Sequence, residues 1–466
     1  MNNMGITVYI TNYNYEKYIR KAIESVLHQS FQQFELLIID DGSTDNSKKI
    51  IESYGTHDKV KIIYQQNKGL NITNNIAMRL AMGKYIMRLD ADDYLTPDAL
   101  QVMYEQLEAD PNLGLVFPNY YLVDANENVT AEIKRHDFAK EVTLLDQPAH
   151  GACTMIRLNF LKSVGGYDEQ YSCQDGYELW IKFISHYKVA NNHNSLFYYR
   201  QHGENLTSNE NRILDTRRRI NYNYISSNKI HTPKTIAIIP VRNTKLYANQ
   251  LAFTKVGEQT LLELKIANLL KANLLHKIVI TSEDQTIKTF IRKRYAESDK
   301  VVFISRSSEL ARYNVSLAGT VAHILAQPPI ADDGFEAFMI TPIEYPFLKS
   351  AIIDDAINSM AIFNADSLIS VRIERSTFYQ HHGEGMVPIL NQEDFTRLER
   401  EALFKAVGGI TLCKTDAFVK FQKIVGGKVG HITIDQASAF GITSAFDLKM
   451  ARMMVEPDFA SEKEIT

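Results

Sequence analysis

The chain has 466 residues, of which 45% are hydrophobic and 23% charged, with a formal net charge of −4. That length calls for about two domains, and the balanced charge excludes a global electrostatic footprint for nucleic acid. Three scattered cysteines, Cys153, Cys173 and Cys413, are too few for a disulfide framework or zinc cluster, so a reducing cytoplasm is expected. "MNNMGITVYI" lacks a signal-peptide pattern, and no apolar run reaches the roughly 18 residues of a membrane span.

Taken in order, "ITVYIT" (6–11) is β-rich, and "YEKYIRKAIESVLHQ" (15–29) carries Ile19, Ala22, Ile23, Val26 and Leu27 at helical spacing. "FELLIIDD" (34–41) is an almost unbroken apolar run ending in two carboxylates, as suits a strand buried on both faces. "TDNSKKIIESYG" predicts a helix, "VKIIYQ" a strand, "NITNNIAMRLAMG" a helix and "YIMRLDADD" a strand. This alternation is that of an open parallel sheet covered by helices. From 205 to 235 the apolar periodicity fades. The basic cluster "RRRI" at 217–220 reads as a solvated helix face or, less simply, as a peripheral membrane contact. At 235 the alternation restarts with "TIAIIPV" and continues through "KIVITS", "KVVFIS", "EAFMIT" and "SLISVR", with helical stretches between them. The expected division is a first domain over 1–228, a linker over 229–234 and a second domain over 235–466.

In such sheets ligands bind outside the carboxyl ends of the strands. Two acidic turns fall there: "DDGSTD", Asp40 to Asp45, and "DADD", Asp90 to Asp93. Carboxylates so placed can hold a divalent cation that bridges phosphate oxygens. One such turn is weak evidence, since turns are rich in Asp; two in this order are stronger.

The stretches "ITNYNYEKYIRKAIESVLHQSFQQFELLIIDDGSTDNS", "NKGLNITNNIAMRLAMGKYIMRLDADDYLTPDAL" and "VGGYDEQYSCQDGYELWIKF" resemble the inverting glycosyltransferases of family 2, with a GT-A fold, over roughly residues 6–205. The resemblance implies that Thr11, Tyr13 and Asp41 contact the nucleotide base of a nucleotide-sugar donor. It implies that Asp90 contacts the ribose or metal-bound water, and that Asp92 ligates Mn²⁺ or Mg²⁺. Asp93 is a helper or a turn residue. The family's acidic pair after a "GG[FY]DE" turn reads Gln174–Asp175 here, so Asp175 is the expected base; a plain helix N-cap is the alternative. His202, in "YYRQHGENLT", is a second candidate for the metal or the diphosphate. His150 and Cys153 fall where the family lines the acceptor pocket. Asn74 stands where an Arg is common, which bears on donor identity.

The stretch from 235 to about 455 resembles the cytidylyltransferases that make CMP-sialic acid and related CMP-activated acidic sugars. The parallels include "IAIIPVRNTKLYANQLAFTKVGEQTLLELKI", "VFISRSSELARYNVS" and "MITPIEYPFLKSAIIDDAI". Arg242, Lys245 and Arg306 survive from the family's nucleotide site. The phosphate-loop glycine and its second basic cluster do not. Gly441–Ile442–Thr443 stands where the family's Asp-Ile-Asp holds Mg²⁺. Thr341–Pro342–Ile343–Glu344–Tyr345–Pro346 replaces a Gln-Pro-Thr-Ser-Pro turn, and Val407–Gly408 replaces Asn-Gly. Alternative acids are Asp332, Asp333, Asp354, Asp355 and Asp435, with solvation the simpler reading for Asp354 and Asp355; Asp447 matches a structural Asp.

The expected fold class is therefore α/β, with two nucleotide-sugar-transferase-like, Rossmann-like domains. The expected function is metal-dependent transfer of a sugar from a nucleoside diphosphate donor, a UDP-sugar, to a glycan or lipid-linked acceptor in surface polysaccharide assembly. The second domain is expected to be non-catalytic and to mediate a homodimer. The expected location is the cytoplasm, with peripheral contact at the inner membrane face. Two alternatives are a bifunctional enzyme with an active cytidylyltransferase and a nucleotide-sugar-binding scaffold without turnover.

Overall fold

The computed structural model describes residues 4–134, 151–201, 210–242, 251–312, 314–374, 376, 378–381, 383, 385–388 and 403–456. The chain divides into two compact units, 1–217 and 218–466. The boundary falls inside a long helix and not in the polar residues after it.

The first unit is built on one mixed sheet. Its strands are β1 Ile6–Asn12, β2 Phe34–Asp40, β3 Val60–Tyr64, β4 Tyr85–Asp90, β5 Tyr94–Leu95, β6 Leu113–Val123, β7 Val129–Ile133, β8 Met155–Arg157 and β9 Lys188–Arg200. The order is β3-β2-β1-β4-β8-β6-β9-β5, with β7 paired to β6. The run from β3 to β4 is parallel. β8 is antiparallel to both β4 and β6, and β6 runs parallel to β9.

The continuous apolar runs are explained by burial on both faces. Ile6, Val8, Ile10, Leu36 and Ile38 join one core, and Tyr9, Leu37 and Ile39 join the other, as the two-residue side-chain period dictates. Helix α1 (Ile19–Leu27) buries Ile19, Ala22, Ile23 and Val26 in the first core. The helices in chain order after it are α2 (Ser47–Glu52), α3 (Leu70–Leu80), α4 (Ala99–Ala109), α5 (Leu158–Ser163) and α6 (Asp175–Ile184). α3 and α6 cover the second core through Ala77, Met78, Leu179, Trp180 and Phe183.

The stretch read as losing its periodicity forms α7, Glu210–Asn228. It carries little apolar surface, with Leu214 and Ile220 its buried hydrophobics, so its pattern is too faint to register as amphipathic.

The second unit repeats the logic. In a seven-stranded sheet, the interior strand β10, Thr235–Pro240, is flanked by parallel strands Leu275–Ser282 and Ala337–Ile340. Strand Leu403–Lys414 is antiparallel to its two neighbours. Ala237, Ile239, Ile278 and Ile280 face one core, while Ile236, Ile238, Val279 and Phe338 face the other. Helix α8, Leu261–Leu270, starts with a capping box in which the Thr260 side chain and Glu263 satisfy each other's backbone N–H groups.

Candidate active site

A cavity of 690 Å³ opens at the carboxyl ends of β1, β2 and β4 and at the start of α6. Thr11, Tyr13, Asp41, Asp90, Asp92 and Asp175 all line it. The topology accounts for this convergence. β1 lies between β2 and β4, so the turns that follow the three strands are neighbours.

Tyr13 is 45% exposed, a free aromatic face at the mouth. Thr11 Oγ1 donates to Asp90 Oδ1 at 3.4 Å, across the β1–β4 register. Asp41 is buried, and its carboxylate organises the loop after β3. Oδ1 accepts from the Lys68 N–H at 2.9 Å and from Gln65 Nε2 at 2.6 Å, and Oδ2 accepts from the Gly69 N–H at 3.0 Å. The adjacent Gly42 has φ +84°, and a Cβ there would lie 2.8 Å from the Asn67 nitrogen. Only glycine fits that left-handed turn without displacing backbone.

Arg88 lies two residues before Asp90 on β4, and the strand period places both on the same face. Arg88 is buried, with Nε 2.9 Å from Asp90 Oδ1, and Nη1 is paired with Asp175 Oδ2. One guanidinium thus joins the D-x-D turn to the first residue of α6. Burial works against its charge, but Asp90 and Asp175 outweigh that and hold its pKa well above the usual arginine value. Gly151 makes room for the pair, since a Cβ there would lie 3.3 Å from both Arg88 Nη2 and Asp175 Oδ2.

Asp175 opens α6 in the positive field of a helix N-terminus. The preceding Gln174 adopts φ 62°, ψ 29°, a left-handed conformation uncommon outside glycine and asparagine. Its side-chain oxygen accepts from Arg217 Nε of α7 at 2.7 Å.

Burial raises the pKa of Asp90, Arg88 opposes the rise, and Asp92 and Asp175 add to it. Burial raises Asp93 strongly, with Asp92 and Asp90 reinforcing the shift. Asp93 is a clasp for the turn: its Oδ1 accepts the Arg200 N–H at 3.0 Å, and Arg200 Nε donates to the Asp92 carbonyl at 3.0 Å. The Arg200 guanidinium also packs 4.7 Å from the Tyr18 ring centroid.

Cys153 is wholly buried in the first core, and burial lifts its thiol pKa well above the ordinary value, which makes it a packing residue. Asn74, also buried, accepts from Tyr9 Oη at 3.1 Å. His150, His202 and Lys245 lie outside the described residues. Among the described residues, no group of three or more His, Cys, Asp or Glu is arranged to hold a metal ion.

Sequence reasoning passed over Arg88 and Arg217. A lone Arg inside the apolar run "YIMRLD" was the available signal for the first. A charge there is buried and requires acidic partners. Nothing local marked the second, because its place in the cavity depends on α7.

Residues 7–165 match the family model described as glycosyl transferase family 2. The N-terminal unit carries a family 2 glycosyltransferase domain. Its sheet is of the Rossmann-like type expected for GT-A proteins. The family 2 region is 31% identical over 204 residues to a chondroitin synthase of Escherichia coli, covering 43% of this chain and 30% of that protein. An uncharacterized glycosyltransferase of Methanocaldococcus jannaschii is 29% identical over 261 residues, covering 54% of this chain and 84% of that protein. Among solved structures, S. aureus TarS 1–349 in complex with UDP-GlcNAc shares 22% identity over 48% of this chain and 67% of that chain, with a TM-score of 0.42. The chain thus spans less than a third of the chondroitin synthase it matches.

Proposed function

We propose that the N-terminal unit is an inverting glycosyltransferase. It moves a sugar from a nucleoside diphosphate donor, a UDP-sugar, to a hydroxyl of a glycan or lipid-linked acceptor in surface polysaccharide assembly. The observation that carries this is the convergence of Asp41, Asp90, Asp92 and Asp175 in one cavity. The family 2 match supports the reaction class, and the likeness to a chondroitin synthase supports the polysaccharide setting.

In this reading Thr11, Tyr13 and Asp41 hold the base. Asp41 Oδ2 has room for one more donor beside the Gly69 N–H, since a carboxylate oxygen carries two lone pairs. Asp175 takes the proton of the acceptor hydroxyl. The acceptor oxygen attacks the anomeric carbon as the bond to the diphosphate oxygen breaks, and UDP departs with that electron pair. Asp175 stays aimed into the cavity because Arg88 grips one of its oxygens.

A divalent cation suits the D-x-D turn. Burial and mutual repulsion raise Asp90 and Asp93, so positive charge is in short supply, and carboxylates are hard oxygen donors. Asp92, with His202 as a second ligand, would hold Mn²⁺ or Mg²⁺, which supplies charge neutralisation for the leaving diphosphate.

The test is a screen of nucleotide-sugar donors in Mn²⁺, followed by Asp175→Asn and Asp92→Ala on the donor that reacts. Loss of a general base costs about 10²–10⁴-fold, and unchanged rates in both variants would sink the mechanism.

For the second unit we propose a cytidylyltransferase-like fold without turnover, serving as a homodimerisation or docking module. Arg306, which the resemblance assigns to the nucleotide site, is engaged within the protein. Arg306 is buried, donates Nη2 to the Val241 carbonyl at 2.9 Å and faces Glu283 at 3.7 Å. Tyr345 fills the space beside two substituted loops. A Cβ on Gly408 would lie 3.0 Å from its hydroxyl, and one on Gly441 2.9 Å from its ring. Thr443 is occupied by Asp447, which closes a capping box with Ser444. Asp354, read as solvated, instead accepts from the Asn273 and Leu274 N–H groups, so it is a loop anchor. Exposed Ile373, Tyr379, Met386, Val387 and Phe404 supply apolar surface for a partner copy. Among the described residues no helix is long and apolar enough to cross a membrane.

A further inference from the structure

We infer that the acceptor carries a negative charge, a carboxylate or phosphate, and that Arg217 recognises it with Arg212 beside it. This rests on the glycosyltransferase reading of the same cavity. Both arginines line the cavity from α7. Arg217 donates Nε to Gln174 Oε1 at 2.7 Å and lies 5.1 Å from the Tyr177 ring centroid. Arg212 Nη2 donates to the Ser172 carbonyl at 3.1 Å. The two are therefore bound to the loop that immediately precedes Asp175.

The partners of Arg217 decide what it can do. An amide oxygen and an aromatic face orient a guanidinium without neutralising it. Among the described residues Arg217 has no carboxylate partner. An acid at position 174 would close an ion pair with Arg217; the glutamine accepts the same hydrogen bond and leaves the positive charge for a ligand. A planar guanidinium whose Nε is already fixed presents its two terminal nitrogens as a fork, which matches a carboxylate or phosphate.

The side of the cavity follows from the contacts. Asp41 follows β2, Asp90 and Asp92 follow β4, and Arg88 links Asp90 to Asp175. Gln174 precedes Asp175 in the chain and holds Arg217, so this cation sits beside the base. An anion there belongs to the molecule whose hydroxyl faces Asp175. A donor diphosphate held there would leave the D-x-D turn without its phosphates.

The chain's single tryptophan, Trp180, lines the same cavity, so its fluorescence reports binding without turnover. The full chain is titrated first with UDP and Mn²⁺. With these saturating, it is then titrated with methyl glucuronoside, glycerol phosphate and the uncharged methyl glucoside. The acidic probes are expected to bind about tenfold or more tightly than the neutral one, the size of a charge-assisted hydrogen-bonded pair. Arg217→Gln and Gln174→Glu should each abolish that preference while UDP affinity stays within about twofold; Arg217→Lys should keep part of it. If UDP binds but acidic and neutral probes bind alike, this inference falls and the glycosyltransferase reading stands. If Arg217→Gln instead weakens UDP by tenfold, the cation serves the donor and the inference is overturned. If UDP itself does not bind, the failure lies with the donor site.

Discussion

The two units place the same architecture around different chemistry. Each has an interior strand, β1 or β10, flanked by parallel neighbours and buried on both faces by alternating aliphatic side chains. Each therefore gathers its loops at the carboxyl ends of those strands. In the first unit four aspartates and Arg88 meet around an open cavity. In the second, the equivalent loops hold Thr341, Tyr345 and Ile442, and the charged residues described nearby include Arg242, Arg306, Glu283, Glu344 and a wholly buried Lys265. An α/β sheet fixes where a site can be. Whether there is one depends on a few side chains at strand ends, which can change without disturbing the core.

The largest effect expected from testing this contrast concerns Arg88, the residue with no counterpart in the notion of a bare carboxylate site. Arg88→Met keeps the length of the side chain and removes the charge. It leaves the partly exposed Asp90 and Asp175 without their shared partner, so the transfer rate should fall by about 10²-fold or more, the scale of a misplaced catalytic group. The pH profile should distinguish positioning from folding. Burial already raises the Asp90 pKa and Arg88 opposes the rise. Without Arg88 the rise at Asp90 goes unopposed, so Asp90 protonates at higher pH and the acidic limb of the rate profile should move upward. Arg88→Lys should restore much of that limb. A rate loss with an unmoved acidic limb would reduce Arg88 to a packing residue.

A second test sets the two units side by side in one experiment. A ligand that binds only the folded state stabilises it by about 2.7 kcal/mol at a hundredfold excess over its dissociation constant. UDP with Mn²⁺ should therefore raise the melting temperature of one unfolding transition, and Asp92→Ala should cancel the shift. CTP with Mg²⁺ should leave both transitions in place, and CTP with an acidic sugar should release no pyrophosphate. A CTP-induced shift lost on Arg306→Gln would restore the second unit as a nucleotide site and erase the contrast.

Much of this was legible in the sequence, for reasons that particular residues illustrate. "FELLIID" and "TIAIIP" read as strands because both faces are buried, which leaves no polar alternation to confuse the pattern. The turn aspartates stood out because they terminate such runs. Four things were not legible. β9 pairs with β6 over a long sequence separation and with several register shifts, and "KVANNHNSLFYYR" carries too many asparagines to look like a strand. α7 is polar nearly all round, and its helix is fixed by tertiary packing of Leu214 and Ile220. The link between Arg217 and Gln174 needed that helix, so "RRRI" looked like a surface cluster. Asp41 was read as a base-binding group, and three contacts to the loop after β3 add a scaffolding task that no motif reveals.

The smallest expected effect probes the second unit's own buried charge. Lys265 on α8 is wholly buried and donates Nζ to the Tyr345 carbonyl at 3.0 Å. Burial lowers its pKa to about 7, with Glu344 pulling the other way. Glu344 is itself raised by burial. The sign for Lys265 follows from proton binding. Between pH 7 and about 10 the unfolded chain holds a proton on this lysine that the folded chain has released, so its contribution to stability improves as pH rises, by at most about 1.4 kcal/mol per pH unit. Lys265→Met removes the titrating group and keeps the volume. The stability difference between wild type and variant, measured by denaturant unfolding at pH 7, 8 and 9, should therefore move steadily in favour of wild type. A difference that stays flat over that range would mean that Lys265 remains charged in the fold. Glu344 would then be its ion-pair partner, and the second unit would carry a buried salt bridge at its strand ends where the first carries an acidic site.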